Sequence, residues 1–557
     1  MEQQSGNVNE QKLKIGILIR DMEQLENWEY EILKGIVEHP NLELSLFIKD
    51  GRQEIHSLKN RLKRNLFTPQ IFANVLWTLQ TKIESILFKR IQTVDANEII
   101  DKTKNIETIY VNPVRKGFLD IFSEEDSNKI AAYGLDILLR HEFNIIRGNI
   151  LNAARYGIWS YHHGDNAINR GGPPGFWEVV NSEPCCGVTL QQLTPELDGG
   201  LVIDKAWFNR HWAFFKTSDE LMENSVALLF KNINKLLIQG NIQTKKSLTY
   251  YNRLYKRPNL TYMLVYICRF YAQLFKRLFN RIVPLKRSNC WALVFGKGSF
   301  LEAALYKTKP VAMPPKVFWA DPFLYEHDGQ LYVFFENYSY KSKKGKISVG
   351  KVTGTGKGAY SIADVRDVLD LDYHLSYPYI VSEDNEIFMI PETGENKRLE
   401  IYRCTQFPDT WELYATAFEG EEIVDTTYFC DKNGEKWLLL NKGMTHAELH
   451  IYNIDSLKLQ NITAHRFNPV VIDCRKARNG GALFEYNNEY YRPSQINTQG
   501  IYGKGLQINK IKKLTLHDFE EEPVIAVEPN FIKGLQGIHH LHQYGDNFVF
   551  DVCYKRL

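Results

Sequence analysis

A short stretch near residue 160 brings imidazole, hydroxyl and carboxylate groups close together in sequence. Apolar residues from Ile158 give way to two histidines, His162 and His163, and a polar Gly/Pro loop follows over 164–175. An imidazole with a carboxylate nearby can transfer protons near neutral pH and stabilise a developing oxyanion. The side chains that we expect to converge at the carboxyl edge of one sheet are Ser160, His162, His163, Asp165 and Asp198.

Simpler interpretations of these residues stay open. His162 could be a core histidine with satisfied ring nitrogens, and the His162-His163 pair could belong to a metal site. Adjacent residues of a strand point to opposite faces, so one metal ion cannot easily take both rings. No Cys-x-x-Cys pair or Cys/His cluster has zinc-ligand spacing, and Cys185-Cys186 before a strand indicates packing. We therefore predict no metal site.

Alternating strands and helices must position these groups. The first third of the chain has β-branched runs separated by helical periodicity. This βαβα order predicts a Rossmann-like α/β domain with a mostly parallel sheet, whose ligands bind outside the carboxyl ends of the strands. The basic helical stretch Asn60–Ile91 looks inserted. The predicted strands are Lys12–Arg20, Leu42–Lys49, Thr108–Val111 and Asp136–Leu139, and the predicted helices are Glu23–His39 and Glu124–Ala132.

Several motifs between Ile150 and Ile203 occur together in the order of a known family. Over about Lys12–Phe208 the chain resembles the formyltransferases, which include methionyl-tRNA, glycinamide-ribotide and sugar N-formyltransferases. The family's Asn-x-His element has Ser160 in place of its Asn, and Asp198 follows His162 at the expected spacing of 36 residues. The matching motifs are Gly157-Ile158-Trp159-Ser160-Tyr161-His162, Arg170-Gly171, Gly187-Val188-Thr189 and Leu197-Asp198-Gly199-Gly200.

The resemblance implies transfer of a formyl group from 10-formyltetrahydrofolate to a substrate amine. His162 would then stabilise the oxyanion and pass a proton, while Asp198 would take the amine proton through water and orient His162. The folate pocket would lie near Phe143–Leu151. The proline-rich sequence usual after the family's His is replaced here by His163-Gly164-Asp165-Asn166, and we expect His163, Asp165, Asn166 and Arg170 to bind the acceptor.

Ser160 is the main departure from the family. The usual Asn holds the formyl oxygen with an amide N–H, whereas Ser160 offers one shorter hydroxyl donor. Losing that donor geometry costs about 3–4 kcal/mol unless another group substitutes. Three interpretations stay open: an intact enzyme with a rearranged oxyanion hole, transfer of a different one-carbon or acyl group, and an inactive domain.

The C-terminal part repeats one unit, a two-residue polar turn followed by a short aromatic or aliphatic strand. Both central residues of such turns can take positive φ, which suits tight hairpins. Five hairpins about 50 residues apart predict an all-β five-bladed β-propeller, with a β-sandwich as the alternative. Trp291–Phe295 would complete the last blade. The turns are Asp328-Gly329, Asp384-Asn385, Asn433-Gly434, Asn487-Asn488 and Gly545-Asp546.

This part carries a second resemblance. Phe318–Phe323 and Gly345–Val349 resemble the propeller domain of plant glucosamine inositolphosphorylceramide transferases, and the same five-bladed form occurs in furanosidases and fructosidases. In those hydrolases an Asp-Pro supplies one carboxylate, here Asp321, and catalysis needs a second. The second-blade counterpart, Ser376-Tyr377-Pro378, lacks it, so we expect glycan recognition, with hydrolysis and a purely structural propeller as alternatives. The predicted channel residues are Asp321, Glu392, Asp425, Arg478, Arg492 and His539.

Charge is unevenly distributed although the net charge is only +2. Asn224–Leu301 contains 14 Lys or Arg and no Asp or Glu. Within 259–283 an apolar stripe has Arg269 and Lys276 opposite, so this helix could lie on an anionic membrane. It could instead pack its aromatic stripe on the propeller, and no nucleic-acid motif accompanies the charge. The stripe is Ile267, Phe270, Tyr271, Leu274, Leu278 and Ile282.

Composition limits the remaining classes of protein. With 44% hydrophobic and 24% charged residues, the chain is neither largely disordered nor a multi-span membrane protein. The polar start without a secretory signal and the eight scattered cysteines predict a cytoplasmic protein. The predicted domains are a disordered start over 1–11, the α/β domain over 12–223, a basic connector over 224–290 and the propeller over 291–557.

These observations predict an enzyme of surface-glycan biosynthesis at the inner face of the plasma membrane. It would N-formylate an amino sugar carried on a nucleotide or lipid, with 10-formyltetrahydrofolate as donor. The alternatives are a glycan-binding protein with an inactive formyltransferase-like domain and a propeller glycosidase. The sequence does not indicate the oligomeric state.

Overall fold

The chain folds as two units, Met1–Ala206 with Arg210–Leu274 and Trp207–Asn209 with Phe275–Leu557. The computed structural model describes residues 12–52, 69–195, 200–282, 289–354, 360–443 and 447–555. The predicted disordered start over 1–11 lies outside these residues. Within them, none of the helices combines the length and apolar composition needed to span a bilayer.

The first unit is mixed α/β. Ser123 caps one of its helices by accepting the N–H of Asp126, and Gly240, with φ of 68°, ends another. Short 3₁₀ helices occur at Met22–Gln24 and Asn149–Asn152. The helices are α1 Asn27–Glu38, α2 Pro69–Leu87, α3 Ala96–Thr103, α4 Glu124–Ala131, α5 Phe176–Asn181, α6 Phe214–Gln239 and α7 Leu260–Ile282. The strands are β1 Leu13–Leu18, β2 Leu42–Asp50, β3 Thr108–Val111, β4 Val114–Lys116, β5 Leu119–Ile121, β6 Ile137–Arg140, β7 Ile145–Arg147, β8 Ile158–His162, β9 Arg170–Gly171, β10 Cys185–Gln192, β11 Leu201–Asn209 and β12 Leu254–Tyr255.

A seven-stranded sheet in the order β11-β10-β8-β6-β1-β2-β3 forms the centre of the first unit. The five strands from β8 to β3 pair in parallel, and β10 runs antiparallel to β8. Leu18, Arg140 and Ser160 lie side by side in register. The carboxyl ends of β1, β6 and β8 therefore meet at one edge, as the βαβα pattern predicts.

The core beneath this edge is apolar because the central strands are covered on both faces. Its buried side chains include Leu18, Leu46, Ile48, Ile130, Leu138, Ile146 and Ile158. The strands predicted at Lys12–Arg20, Leu42–Lys49, Thr108–Val111 and Asp136–Leu139 are present as β1, β2, β3 and β6. Of the helical stretch predicted over Asn60–Ile91, the part up to residue 68 lies outside the described residues, and the rest contains α2.

The structure corrects the predicted connector over 224–290. The expected boundary between residues 223 and 224 falls inside α6, and the first unit extends to Leu274. Helix α7 buries Met263, Tyr266 and Phe270 in a core that also contains Phe176 and Phe214. A window without acidic residues therefore does not mark a linker here, because the apolar side of α7 packs within the first unit.

The second unit is all-β apart from short 3₁₀ helices at Phe300–Glu302, Leu305–Lys307 and Gly394–Asn396. Its strands are β13 Asn289–Lys297, β14 Val317–His327, β15 Gln330–Ser339, β16 Lys344–Thr353, β17 Ser361–Leu369, β18 Ser376–Glu383, β19 Glu386–Glu392, β20 Leu399–Gln406, β21 Thr410–Ala417, β22 Val424–Cys430, β23 Lys436–Lys442, β24 Glu448–Ile454, β25 Ile462–Ala464, β26 Val471–Ile472, β27 Phe484–Tyr486, β28 Glu489–Ile496, β29 Gly505–Leu514, β30 Phe519–Val527, β31 Leu535–Gly537, β32 Leu541–Tyr544 and β33 Asn547–Lys555.

These strands form separate antiparallel sheets. Four sheets follow the chain, β14-β15-β16-β17, β18-β19-β20-β21, β22-β23-β24-β25 and β27-β28-β29-β30, and β26 joins the third of them. The remaining sheet pairs β13 with β33 along their whole length, and β31 and β32 also pair with β33. The expected pairing of Trp291–Phe295 with the last hairpin is therefore present.

The predicted turns form the hairpins of these sheets. Asp328 and Gly329 both have positive φ, 49° and 73°, between the paired residues His327 and Gln330. The Asp384-Asn385 and Asn487-Asn488 turns have the same form.

A bulge recurs near the start of β14, β18 and β22. The pairing shifts between Ala320 and Phe323 in the first of these strands, and at the corresponding point in the other two. Each bulge contains a residue held at positive φ, of 50°, 47° and 47°, and these residues are Asp321, Tyr377 and Asp425. The bulge therefore changes the direction of one side chain at the corresponding position in each of three sheets.

Candidate functional site

His162 ends β8 at the carboxyl edge of the parallel strands. Its Nε2–H donates to the main-chain oxygen of Asn169 at 2.6 Å, which fixes the ring against the loop over 164–175. A Cβ on Gly164 would lie 2.8 Å from the same Nε2, so the loop needs glycine at this point to approach the ring. The sequence therefore placed this imidazole at the correct edge of the sheet.

Ser160 lies two residues before His162 and thus on the same face of β8. It is aligned with Arg140 of β6 and Gln191 of β10, and only 2% of it is exposed. Its hydroxyl donates to the main-chain oxygen of Tyr161 at 3.3 Å. Ser160 and His162, the two residues predicted to stabilise the oxyanion, therefore lie on one face of β8. The Ser160 hydroxyl is bonded to the main chain.

His163 occupies the opposite side and does not join His162. Its ring stacks on Tyr161 at 5.3 Å, contacts Trp28 edge-on at 5.5 Å and lies 3.3 Å from the Ser225 hydroxyl. Burial lowers the pKa of His163 to about 3. Its predicted acceptor-binding role is therefore corrected, since this ring is a neutral packing group.

Asp165 and Asn166 hold their own loop. Lys205 Nζ lies 2.5 Å from Asp165 Oδ1, and Asn166 Nδ2 donates to the Ser247 hydroxyl at 2.9 Å. Asn166 is 4% exposed. These contacts tie the loop to β11 and to the segment before β12, so both predicted binding residues act in this structure as loop anchors.

Arg170 is anchored in the same way. Its Nε donates to the Asn166 main-chain oxygen at 2.9 Å and its Nη2 to that of Leu248 at 3.1 Å. The guanidinium lies 4.6 Å from the centre of the Tyr250 ring, a cation–π distance. Its predicted contact with an acceptor stays a prediction, and its visible role is to join two loops.

Asp198 lies outside the described residues, so its predicted pairing with His162 stays a prediction. Gly200 and Thr194, on either side of that stretch, border a small cavity of about 60 Å³. Arg140 Nε is buried without a hydrogen-bond partner. The cavity overlaps the predicted folate region Phe143–Leu151, and its two guanidinium groups and apolar walls suit an anionic heteroaromatic ligand. It is lined by Arg140, Ile145, Ile146, Arg147, Gln191, Leu193, Thr194 and Gly200.

A buried acid that the sequence analysis did not identify lies beside this edge. Glu29 of α1 is fully buried, 3.6 Å from Arg20 Nη2 and 3.8 Å from His141 Nδ1. Burial raises the pKa of Glu29 to about 7 and lowers that of His141 to about 3. Their signal in the sequence is position, because Arg20 and His141 directly follow the expected strands β1 and β6.

The second unit contains a cavity of about 220 Å³. Four of the six predicted channel residues line it, namely Asp321, Glu392, Arg478 and His539. The aromatic residues Trp291, Phe318, Tyr338 and Tyr502 form much of its wall, and Ala320, Glu336, His374 and Ser376 complete it. Aromatic faces beside carboxylates are typical of sugar-binding sites.

The bases of this cavity are bonded to acids behind its wall. Arg478 Nε donates to Asp425 Oδ2 at 2.6 Å, which places Asp425 next to the lining. His539 Nδ1 lies 2.8 Å from Asp551 Oδ1, and its ring stacks on Trp291 at 4.0 Å. The Asp551 carboxylate also accepts three main-chain N–H groups, from Asp321, His539 and His540.

Arg492 is not a channel residue, which corrects that prediction. It is fully buried and donates through Nε and Nη2 to Glu521, both at 2.9 Å. Its Nη1 donates to Asn479 at 3.1 Å. The periodicity of the sequence cannot distinguish an arginine that faces the channel from one that forms a buried ion pair away from it.

The acids of the cavity have strongly raised pKa values. Burial raises the pKa of Asp321 to about 7, and burial together with neighbouring carboxylates raises the pKa values of Glu336 and Glu392 well above their usual range. Asp321 and Glu336 are each 6% exposed. Carboxyl groups that share a buried cavity resist ionisation together.

Glu336 was missed from the sequence, although a signal existed. It follows the second turn residue, Gly329, by seven positions, and Glu392 follows Asn385 by the same interval. Ala320 pairs with Glu336 and Ser376 pairs with Glu392, so both glutamates lie beside a bulge. Extending the turn repeat by seven residues would have identified them.

Comparison with known proteins gives relatives for both halves. Residues 306–541 match the family model described as glucosamine inositolphosphorylceramide transferase 1, N-terminal. The chain is 34% identical over 217 residues to glucosamine inositolphosphorylceramide transferase 1 of Oryza sativa subsp. japonica, which covers 38% of this chain. The Arabidopsis thaliana protein of that name is 33% identical over 220 residues, again 38% of this chain. The chain spans 28% of the length of each of these two plant relatives.

A methionyl-tRNA formyltransferase of Ureaplasma parvum serovar 3 is 28% identical over 181 residues, which is 31% of this chain and 55% of that protein. Among solved structures, a sugar N-formyltransferase from Shewanella sp. FDAARGOS_354 covers 46% of this chain and 87% of its own, with 14% identity and a TM-score of 0.28. The RS223 β-xylosidase covers 43% and 93%, with 10% identity and a TM-score of 0.32. The chain thus joins a mixed α/β unit to an all-β unit and is similar to transferases of two kinds.

Proposed function

We propose that the first unit is an N-formyltransferase that transfers the formyl group of 10-formyltetrahydrofolate to an amino sugar, carried on a nucleotide or a lipid, in surface-glycan synthesis. The observation that carries this proposal is the placement of Ser160 and His162 on one face of β8, at the carboxyl edge of the parallel strands. The similarity to a methionyl-tRNA formyltransferase supports it. The names of the plant relatives refer to glucosamine, which supports an amino-sugar acceptor.

The second unit is interpreted as a five-bladed β-propeller that holds the acceptor glycan. Its five antiparallel sheets and the pairing of β13 with β33 support this interpretation, because joining the first and last strands closes a ring. The aromatic wall of its cavity supports sugar binding. The free cysteines of the described residues and the folate donor fit a cytoplasmic reaction.

In the proposed reaction the donor supplies an activated formyl group, and the acceptor nitrogen forms a new bond to the formyl carbon as the carbon–N10 bond breaks. Because His162 Nε2–H donates to Asn169, a protonated His162 would use its Nδ1–H to hydrogen-bond the oxygen that becomes negative. Asp198 accepts the proton that the amine loses, and N10 of the departing tetrahydrofolate takes up the proton that His162 passes on. Arg140 and Arg147 would hold the donor's carboxylate or pteridine groups at the small cavity.

The test measures tetrahydrofolate release and N-formyl product with a panel of amino-sugar acceptors. We expect His162→Ala to lower kcat/KM by about 10²–10⁴, since it removes both proton transfer and an oxyanion donor. Asp198→Asn should have a comparable effect, whereas His517→Ala, the same change at an exposed site, should have none. Wild-type protein that releases no tetrahydrofolate with any acceptor would rule out the proposal.

A glycan-binding protein with an inactive first unit is the second candidate. The observation that favours it is the buried Ser160 hydroxyl, which donates to Tyr161 instead of presenting a free donor. Calorimetry with the folate analogue 5-formyltetrahydrofolate separates the two candidates, because an inactive unit has no need to retain the donor pocket. Micromolar folate binding would favour the enzyme.

Hydrolysis by the propeller has less support. Asp425, which with Glu392 is a possible second carboxylate for Asp321, is bonded to Arg478 and to Gln495 Nε2, the latter at 3.1 Å, so it is held behind the wall of the cavity. If Asp321→Ala leaves any glycosidase activity of the protein unchanged, hydrolysis at this cavity is excluded.

A further inference from the structure

The cavity of the second unit contains more acid than its bases neutralise. Its two charged or chargeable bases, Arg478 and His539, are bonded to Asp425 and Asp551 behind the wall. The neighbouring acids raise the pKa of His539, so it is protonated more readily than an ordinary histidine. Each base also lies near one acid of the wall, since His539 Nε2 is 3.4 Å from Asp321 Oδ1 and Arg478 Nη2 is 3.8 Å from Glu392.

Three acids of the wall remain, Asp321, Glu336 and Glu392. Among the described residues, the Asp321 and Glu336 carboxylates accept no hydrogen bond, although both residues are more than nine-tenths buried and line the cavity. Glu392 lies 3.8 Å from Arg478, which it shares with Asp425. The two bases are therefore each shared by two acids, Arg478 by Glu392 and Asp425 and His539 by Asp321 and Asp551, and Glu336 contacts neither base. Buried acids that outnumber the bases beside them are costly to ionise.

The histidines near these acids do not supply that charge. His374 Nε2 lies 3.5 Å from Glu336, and His540 Nδ1 lies 3.6 Å from Asp321. Burial lowers the pKa of both rings, and both are therefore neutral near pH 7. Among the described residues, no further base is placed to let all three acids ionise, so a bound cation would stabilise their carboxylate forms.

We propose that this cavity binds the protonated amino group of a hexosamine residue, with Asp321, Glu336 and Glu392 around the ammonium and the aromatic wall against the sugar ring. The volume of about 220 Å³ is below the roughly 300–1,000 Å³ of sites for drug-sized ligands, so it suits a single ring. Ammonium groups also bind favourably beside aromatic faces. This inference rests on the proposed function for the origin of the amino sugar.

The proposal gives the propeller a way to distinguish acceptor from product. Formylation converts a charged ammonium into a neutral amide, which cannot neutralise the three acids. The unreacted glycan would bind and the formylated glycan would dissociate.

A metal ion is the competing explanation. Asp321, His539 and Asp551 hold potential ligand atoms within 4.8 Å of one another. Both Asp551 oxygens, however, already accept hydrogen bonds, one from Asp321 N and the other from His539 and His540. A metal at this point would displace that network, whereas an ammonium between the other acids would not.

Binding of a cation should be linked to proton release. The empty cavity favours protonated acids, and an ammonium favours the carboxylates, so protons leave when the amine binds. Affinity should therefore rise between pH 5 and pH 7 as the pKa of Asp321, about 7 in the empty cavity, is approached. The facing groups that set this range are His374, Glu392, Asp425, Arg478, His539, His540 and Asp551.

Calorimetry of the full chain with D-glucosamine, N-formyl-D-glucosamine and CaCl₂ tests the proposal. We expect glucosamine to bind at least tenfold more tightly than the N-formyl sugar, with proton release seen as a buffer-dependent enthalpy. Glu336→Gln and Glu392→Gln should each weaken glucosamine binding about tenfold, and Glu326→Gln, an exposed acid on β14, should not. Equal affinity for the two sugars, or calcium binding that blocks glucosamine, overturns the proposal.

Two further measurements separate this inference from the proposed reaction. Because burial raises the pKa values of Glu336 and Glu392 well above their usual range, an amide is a close replacement for either side chain and should preserve folding, which a thermal melt checks. His162→Ala should abolish transfer and leave glucosamine affinity unchanged. Transfer without glutamate-dependent glucosamine binding overturns only the inference, and such binding without transfer overturns only the proposed reaction.

A second observation concerns helices α2 and α7. Their inner sides share one core, in which Trp77 lies with Tyr266, and Glu84 accepts the Tyr266 hydroxyl at 2.5 Å. Their outer sides within the first unit are also apolar, with Phe72 62% exposed and Leu264 49% exposed. The exposed apolar residues are Phe72, Val75, Leu79, Ile83, Ile86 and Leu87 on α2, and Leu264, Val265 and Tyr271 on α7.

The charges around these residues have one sign. Glu84 is the only acid of the two helices, and it is buried. Lys82 of α2 and Arg269 of α7 are exposed. The structure divides the predicted stripe of α7, since Phe270 is buried in the first unit while Tyr271 is exposed.

We infer that the outer sides of α2 and α7 together bind an anionic lipid surface. Exposed apolar side chains enter the headgroup region and basic side chains contact the phosphates, which is how interfacial helices bind. Charge complementarity favours this partner over a second copy of the chain, because two copies would bring like charges together.

Cosedimentation with vesicles tests this surface. The full chain should bind vesicles that contain phosphatidylglycerol at least tenfold more tightly than pure phosphatidylcholine vesicles. Phe72→Ser with Leu79→Ser should remove most of that binding, and Tyr306→Ser, an equally exposed aromatic elsewhere, should not. Vesicle binding that does not depend on lipid charge or on the α2 substitutions overturns the inference. A dimer seen in sedimentation analysis and dissociated by the α2 substitutions also overturns it.

Discussion

The two units satisfy their polar side chains in opposite ways. Around His162 the loop residues bond to one another and to the main chain, as in the Arg170 contacts with Asn166 and Leu248. Around Asp321 and Glu336 the acids face a cavity without a hydrogen bond among the described residues. The first arrangement fixes the position of one imidazole ring, and the second leaves acids that outnumber the bases beside them.

This difference teaches where to look for ligands. Unpaired buried acids reduce stability, and natural proteins retain such groups mainly at functional sites. The loop near His162 carries no comparable cost, so its function depends on how accurately it holds one ring. Replacing an acid of the cavity should therefore increase the stability of the second unit. A substitution that displaces His162 should instead decrease the activity of the first unit.

The largest effect is expected at Arg492, a buried base of the second unit whose partners are complete. Arg492→Met should destabilise the protein by about 3–5 kcal/mol, because the buried Glu521 carboxylate would lose both hydrogen bonds from Arg492 and keep only Lys476, whose Nζ lies 4.0 Å away. Denaturant unfolding measures this loss. The double variant with Glu521→Met should recover most of it, and a single variant as stable as wild type would contradict the assigned pair.

The next effect concerns the accuracy of the first site. Gly164→Ala should reduce formyl transfer about 10²-fold in kcat/KM, since a Cβ would lie 2.8 Å from His162 Nε2 and displace the ring. Gly172→Ala, in the same loop, meets only Pro174 beyond 3.6 Å and should have little effect. Equal activity of the two variants would show that the bond from His162 to Asn169 does not position the ring.

A stabilising effect is expected at the second site. The pKa of Glu336 is higher in the native state than in the unfolded state, so the native state binds this proton more strongly. The contribution of Glu336 to stability therefore falls as pH rises above about 4.5. Glu336→Gln removes that loss. At pH 8 the melting temperature should increase by a few degrees, whereas at pH 4 it should not change. A decrease at pH 8 would indicate a satisfied acid.

The smallest effect is expected at Glu29, the buried acid of the first unit. Its pKa of about 7 gives the same sign, a loss of stability between about pH 4.5 and 7, but Arg20 at 3.6 Å offsets part of it. Glu29→Gln should reduce the pH dependence of stability and raise the melting temperature by about 1–2 °C at pH 8. Glu43→Gln at an exposed site serves as control, and an effect larger than that of Glu336→Gln would reverse the comparison.

Local patterns predicted much of the fold. β-branched runs identified strands β1, β2, β3 and β6, and the turn residues Asp328-Gly329 and Asp384-Asn385 identified hairpins, because positive φ restricts which residues can occupy such turns. The same patterns did not find Glu336 or Glu29. From the sequence alone a carboxylate is expected to be exposed, and only the packing of the folded chain shows that it is buried.

The amino-acid sequence by itself determined the order of the elements, the turns and the strand that carries Ser160 and His162, since these follow from local periodicity and backbone preference. The tertiary structure alone decided which of two adjacent histidines faces the loop and which of Arg478 and Arg492 lines the cavity. It also decided that α7 packs in the first unit. Burial, ion pairing and pKa depend on neighbours that are distant in sequence, and no local pattern encodes them.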